Sequence, residues 1–273
     1  FIGQAENCGS GTRLATLGRA FTIARPKLAR VMRKSLIAAN WKCHGSLLMV
    51  DEFANALTHH KMADVVVFPP AVFVERFANQ ALNTVDCGVQ DIGVVESGAY
   101  TGEVAGEMAR EAGAKWVIIG HSERRNDQQE SDELIAQKLL AATRAELRPI
   151  LCVGETQSQR EDGHALAVVE QQLLSAVAKL DPSQISIGAV AYEPVWAIGT
   201  GLTATPQQAQ DMHKGIRELL RQIDEHTADE TRIIYGGSVK ADNAASLFSQ
   251  PDIDGALVGC LLYTSPSPRD TMS

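Results

Sequence analysis

Eight short runs rich in apolar and β-branched residues recur along the chain, at 36–41, 64–68, 85–90, 115–120, 149–153, 186–192, 231–235 and 253–258. Their apolar positions do not alternate with polar ones, so each run reads as a strand covered on both faces, as in a parallel sheet. Between them lie stretches with apolar residues at helical spacing, clearest at 131–145, 164–179 and 206–223. The last of these opens with Thr205 as N-cap, Pro206 at the first helical position and Gln208 completing a capping box. Strand–helix alternation of this kind predicts an α/β fold, and eight strands is the count of a (β/α)8 barrel; an open doubly wound sheet is the alternative.

In a barrel, chemistry collects where the strands end. The predicted strand ends carry Asn40 and Lys42, then Gln90, then His121, Ser122 and Glu123. Cys152 and Glu155 follow the fifth run, Glu193 the sixth, and Gly236, Gly237 and Ser238 the seventh. The opposite ends look duller, with Lys115, Pro149 and Thr231. That asymmetry predicts an active site at the C-terminal face.

Composition narrows the picture. The chain has 273 residues, 45% hydrophobic and 21% charged, and no apolar run approaches the roughly 18 residues of a membrane span. A formal charge of −8 argues against nucleic acid as the partner. The five cysteines, Cys8, Cys43, Cys87, Cys152 and Cys260, form no C-x-x-C pair or zinc spacing, which favours reduced thiols in a cytoplasmic protein.

The two ends read differently from the middle. Residues 1–31 hold five basic residues and one acid, without the apolar core of a secretory signal. An Arg-rich, acid-poor leader has the composition of a transit peptide, but Met32 immediately precedes the first apolar run, so 1–31 is read as non-native or upstream-translated sequence. Residues 260–273 show no helical period and two Ser-Pro steps. They resemble a translated sequencing adapter and are read as a scar, leaving 32–259 as the barrel.

Four segments are then recognisable together: Ala39-Asn40-Trp41-Lys42, Gly120 to Arg125, Ala191 to Gly201, and Tyr235-Gly236-Gly237-Ser238-Val239. In this order, on these strands, they closely resemble the signature segments of the triosephosphate isomerase family. The resemblance implies interconversion of dihydroxyacetone phosphate and D-glyceraldehyde 3-phosphate, a step of glycolysis and gluconeogenesis, with neither metal nor organic cofactor. It makes Glu193 the base that moves a proton between adjacent carbons, on a lid with hinges at both ends. It makes His121, at the positive end of a short helix that disfavours imidazolium, a neutral donor to the carbonyl, the division of roles described for the family itself. Lys42 would stabilise enediolate and phosphate charge, Asn40 would assist as an oxyanion donor, and Glu123 would hold Lys42. Gly199, Gly236, Gly237, Ser238 and Gly259 would offer backbone N–H groups to the phosphate. The stretch Gly199–Ala204 also fits a dinucleotide fingerprint, but it does not leave a strand in a tight turn and no second strand brings a carboxylate about 20 residues later. Loop 98–103 resembles the family loop that enters a neighbouring subunit, so a homodimer is expected, with Thr101 reaching the partner's Asn40 and Glu123 region and Cys43 in the receiving pocket. Other phosphosugar isomerases, and a catalytically silent phosphate-binding barrel, are the alternatives.

The departures from the family lie at Leu202, where most members carry Lys, and at the end. There Cys260 replaces a second Gly and no eighth helix is legible. Such a helix would bury several apolar side chains at roughly 1.5–3 kcal/mol each. The chain as written is therefore expected to give little soluble, active protein. Restoring the Gly and a generic last helix should raise soluble yield and turnover; equal values for both versions would refute this.

Overall fold

The computed structural model describes residues 33–57, 63–81, 85–198, 202–240 and 242–259; the expected leader and scar lie outside them. In chain order the elements are β1 (Ser35–Asn40), α1 (Leu47–Ala56), β2 (Ala63–Phe68), a 3-10 turn (Ala71–Phe73), α2 (Val74–Gln80) and β3 (Asp86–Val89). There follow α3 (Gly106–Glu111), β4 (Trp116–Ile119), α4 (Ser122–Asp127), α5 (Asp132–Arg144) and β5 (Arg148–Val153). Next come α6 (Gln157–Glu161), α7 (Ala165–Val177), α8 (Pro182–Ile187), β6 (Ala189–Tyr192) and a second 3-10 turn (Val195–Ala197). The chain closes with α9 (Pro206–Ile223), α10 (Glu225–Glu230), β7 (Arg232–Tyr235), α11 (Ala244–Phe248) and β8 (Gly255–Val258).

All eight strands are parallel, and β1 pairs with both β2 and β8, so the sheet closes into a barrel and the open alternative is excluded. Closure explains the missing alternation. Leu36, Ala38, Val66, Phe68, Trp116, Ile118, Ile150 and Cys152 fill the interior, while their neighbours Ala39, Val67, Val117, Ile119, Leu151 and Val153 face the helices. Gly88 is required by that filling, because a Cβ there would lie 2.3 Å from the Phe68 ring.

Local signals place the helices. Thr205 Oγ1 accepts from the Gln208 N–H at 3.2 Å, and Gln208 Oε1 accepts from the Thr205 N–H at 2.9 Å, a complete capping box. The run expected at 186–192 is shorter than its apolar pattern. Ser186 and Ile187 end α8, which starts at Pro182 and whose Gln184 accepts from the Asp181 N–H at 2.8 Å. The strand begins only after Gly188, where a Cβ would meet the Pro149 carbonyl at 2.1 Å.

The N-terminal strand ends are an ionic floor rather than a dull one. Asp64 pairs with Arg232 at 2.8 Å and with Lys34 at 2.5 Å, and Asp86 accepts from Lys115 and from the Trp116 indole. Asp254, fully buried, takes Arg217 at 2.7 Å, Arg33 at 2.9 Å and the Ile233 N–H at 3.0 Å. No helix among the described residues is long and apolar enough to cross a membrane.

His213 on α9 is fully buried, donating from Nδ1 to the Asp252 carbonyl at 3.1 Å and standing edge-on to Tyr192 at 5.8 Å. Burial pulls its pKa from 6.5 to about 4. The unfolded chain therefore binds a proton that the folded one refuses. His213 contributes no penalty above pH 6.5, and stability falls as pH drops from there to about 4, by about 3 kcal/mol in all. Urea unfolding at pH 7.5, 5.5 and 4.5 should show that loss, with a flatter profile for His213→Gln; equal pH slopes for the two proteins would exclude His213 as the cause.

Candidate active site

Gly120 follows β4 with φ +71°, a left-handed turn that redirects the chain into α4. His121 is the N-cap of that helix, and its Nδ1 accepts from the Glu123 N–H at 3.3 Å. An Nδ1 engaged as acceptor carries no proton, which assigns the ring hydrogen to Nε2. Nε2 lies 3.1 Å from Glu193 Oε1, and the second oxygen of Glu193 accepts from the Ser122 N–H at 2.8 Å. Both side chains are buried, at 6% and 2% exposure, so this contact is shielded from bulk water.

Glu193 follows β6 directly, and its own N–H is fixed to the Val153 carbonyl at 2.8 Å. Beneath it Cys152 is wholly buried, and burial, with the negative charge of Glu193 added, pushes its thiol well above the ordinary range. Cys152 is thus a neutral wall and not a nucleophile.

Lys42 leaves β1 with φ +51°, which is strained for a residue bearing a side chain. Its N–H donates to Asn40 Oδ1 at 2.9 Å, and its carbonyl accepts from Gln90 Nε2 at 2.8 Å. These bonds hold the strained turn and aim the ammonium at Glu123, with which it forms an ion pair. Asn40 thereby uses its acceptor, leaving its amide NH2 as the end free to donate.

Asn40, Lys42, His121 and Glu193 line one cavity of about 480 Å³, together with His44, Ile198, Gly236, Gly237, Ser238 and Gly259. Glu123 lies behind Lys42 rather than in the cavity wall, and Gly199 lies outside the described residues. The glycines are there for space. A Cβ on Gly236 would sit 2.8 Å from Glu193 Cγ, and one on Gly237 would sit 2.3 Å from Tyr235 Oη. A side chain at 236 would push on the Glu193 side chain, and one at 237 on Tyr235 and Pro194.

For three strand-end residues the sequence marks the place and not the role. Ser122 contributes its backbone N–H, which no side-chain pattern reveals. Gln90 works through two carbonyls, those of Lys42 and Phe68. Glu155, fully buried, accepts from Tyr192 Oη at 2.9 Å, Trp196 Nε1 at 2.9 Å and Arg160 at 3.0 Å, tying the segment after Glu193 to the barrel. Its place at the end of β5 was the available signal.

A family model described as triosephosphate isomerase matches residues 35–265. The chain is 46% identical over 236 residues to a triosephosphate isomerase of Coxiella burnetii (strain Dugway 5J108-111), covering 84% of this chain and 92% of that protein. It is 48% identical to triosephosphate isomerases of Pseudomonas putida (strain GB-1) and Stenotrophomonas maltophilia (strain K279a), again over 84% of this chain and 93% and 92% of theirs.

Proposed function

The chain belongs to the triosephosphate isomerase family, and we infer that it interconverts dihydroxyacetone phosphate and D-glyceraldehyde 3-phosphate, as an intramolecular aldose–ketose isomerase. The observation that carries the chemistry is the 3.1 Å approach of His121 Nε2 to Glu193 Oε1 at the wall of a cavity that also holds Lys42 and the Gly236–Ser238 backbone.

In the proposed mechanism Glu193 exchanges its bonds to Ser122 and His121 for the substrate and takes a proton from the carbon beside the carbonyl. The C–H electron pair moves into a carbon–carbon double bond, leaving charge on oxygen as an enediolate. His121 donates from Nε2 to one oxygen and shuttles the hydroxyl proton, while Lys42 and the Asn40 amide neutralise the developing charge. Glu193 then returns its proton to the adjacent carbon, so nothing is oxidised or lost overall. The phosphate would lie against the N–H groups of Gly236, Gly237, Ser238 and Gly259. These roles draw support from the shared cavity and from the absence of room for side chains at 236 and 237. Purified protein stripped with a chelator should convert dihydroxyacetone phosphate at an undiminished rate and leave four- and five-carbon sugar phosphates untouched. Turnover restricted to the longer sugars would overturn the reading.

Homodimer formation is proposed on the exposed apolar residues that follow β1 to β3. Leu48 is 67% exposed, Val72 83% and Tyr100 55%, and Leu47 and Met108 are exposed as well. Singly, exposed apolar residues need no explanation; several at one end of a barrel mark an interface. Loop 98–103 would enter the partner near Cys43. Thr101→Arg should yield monomers by sedimentation and lower kcat by about 100-fold, the scale of a misplaced catalytic group. A fully active monomer would refute the dependence. Cytoplasmic residence is proposed from the free thiols of Cys43, Cys87 and Cys152.

A further inference from the structure

The last residues that β4 and β5 pair are Ile119 and Leu151. Beyond them Gly120 turns out of the sheet at φ +71°, and the carbonyls of Gly120 and Cys152 lie past the end of that ladder. Backbone carbonyls shielded from water need donors, and Arg125 on α4 supplies both. Its Nε donates to the Gly120 carbonyl at 2.9 Å and its Nη2 to the Cys152 carbonyl at 3.1 Å. Nη1 donates to Asp132 Oδ1 at 2.7 Å, which holds the plane of the guanidinium from the first residue of α5. The fit is close: a Cβ at position 120 would lie 3.2 Å from Nη2.

Each carbonyl belongs to the support of one half of the catalytic pair. The Gly120 peptide carries His121 and, one residue further, the Ser122 N–H that donates to Glu193. Cys152 adjoins Val153, whose carbonyl accepts from the Glu193 N–H at 2.8 Å. Gly154 packs on the same residue, since a Cβ there would lie 1.8 Å from the Glu193 carbonyl oxygen. One guanidinium therefore ties together the two strand ends that set the 3.1 Å contact between His121 and Glu193. The glycines and Ser238 assigned to the phosphate follow β7 and β8, away from this clamp.

We propose that Arg125 is a positioning residue for the proton transfer, clamping the ends of β4 and β5 so that His121 and Glu193 keep their spacing on either side of the reacting carbons. The proposal rests on the isomerase reading above and deepens it. A planar fork meets its acceptors at fixed angles, which an ammonium on a flexible stem does not. Displacing a reacting group by about 1 Å lowers the rate by about 100-fold. The Arg125 side chain is 13% exposed and borders a second cavity, of about 270 Å³, whose wall also holds Asp132 and the exposed Asn126 and Ser131. A small ion can thus reach the guanidinium's place from solvent.

The test sets kcat for dihydroxyacetone phosphate beside the inhibition constant of inorganic sulfate, for the full chain, Arg125→Ala and Arg125→Lys. Arg125→Ala should lower kcat by about 30- to 100-fold and leave sulfate inhibition unchanged, because the phosphate end is intact. Ethylguanidinium at tens of millimolar should raise kcat of that variant by about tenfold or more, with saturation, by refilling the vacated place. Tetramethylammonium, a cation without donors, should restore nothing. Should Arg125→Ala not fold, Arg125→Lys carries the test, with kcat lower by about tenfold and sulfate inhibition again unchanged. A kcat within about threefold of the parent in both variants, a sulfate affinity that falls in step with kcat, or a loss that ethylguanidinium leaves untouched would overturn the proposal. A parent that does not turn over triose phosphate would instead sink the isomerase reading on which it stands.

Discussion

Glu193→Gln should lower kcat by about 10³-fold or more, a loss of roughly 4 kcal/mol of transition-state stabilisation. The substitution keeps the size of the side chain and removes only its basicity. Both carboxylate oxygens are already engaged, one with Ser122 N–H at 2.8 Å and one opposite His121 Nε2 at 3.1 Å. The amide can satisfy the first and must turn its NH2 toward the second, where a donor already points. Binding of sulfate, which relies on backbone N–H groups across the cavity, should survive. Glu193→Asp separates position from basicity, since it retains the charge but withdraws it by one methylene; a loss of about 100-fold is expected. Rates within tenfold of the parent for Glu193→Gln would remove this residue from the mechanism.

Asp254→Ala should cost about 3–5 kcal/mol, the largest stability loss available from a single polar substitution here. Asp254 has no exposure and holds two guanidiniums and the Ile233 N–H through one oxygen. Arg217 itself is nearly buried, and it spends its other donors on Asp252 at 2.9 Å and on the Ala228 and Thr231 carbonyls. Removing the carboxylate takes from Arg33 its ion pair and leaves Arg217 with Asp252 alone, at a place largely shut off from water. Against a total of about 5–15 kcal/mol for a domain, much of the chain would unfold at 37 °C. Urea melts of the parent, Asp254→Ala and Asp254→Asn report this directly, with Asn losing less because it can still accept from Ile233. A loss below about 1 kcal/mol for Ala would show that the floor is solvated.

The upper half of the barrel was legible because its residues advertise themselves. Buried parallel strands are apolar on both faces, and the side chains that end them are polar, so Asn40, Lys42, His121 and Glu193 stand out. The lower half hid for the converse reason. Asp64, Asp86 and Asp254 precede or begin strands, and a lone acid there reads as a loop residue. Their partners lie far off in sequence: Arg33 to Asp254 spans 221 positions and Arg232 to Asp64 spans 168. No local pattern can announce a pairing created only when β1 closes on β8. Ser122 and Gln90 stand out as strand-end residues too, but their roles, through the backbone for Ser122 and on it for Gln90, do not. The early start given to β6 failed on competition between signals: Ile185 and Ile187 look strand-like, but Pro182 and Gln184 commit that stretch to a helix.

The central claim is that one carboxylate carries a proton between two carbons in this cavity. Its most direct test is turnover of dihydroxyacetone phosphate in deuterium oxide, followed by proton NMR of both trioses. A base that holds the abstracted proton long enough to exchange with solvent predicts deuterium at the carbon beside the carbonyl, introduced by the parent and not by Glu193→Gln. Deuterium entering at that carbon as fast with Glu193→Gln as with the parent would mean that another group moves the proton, and would contradict the account.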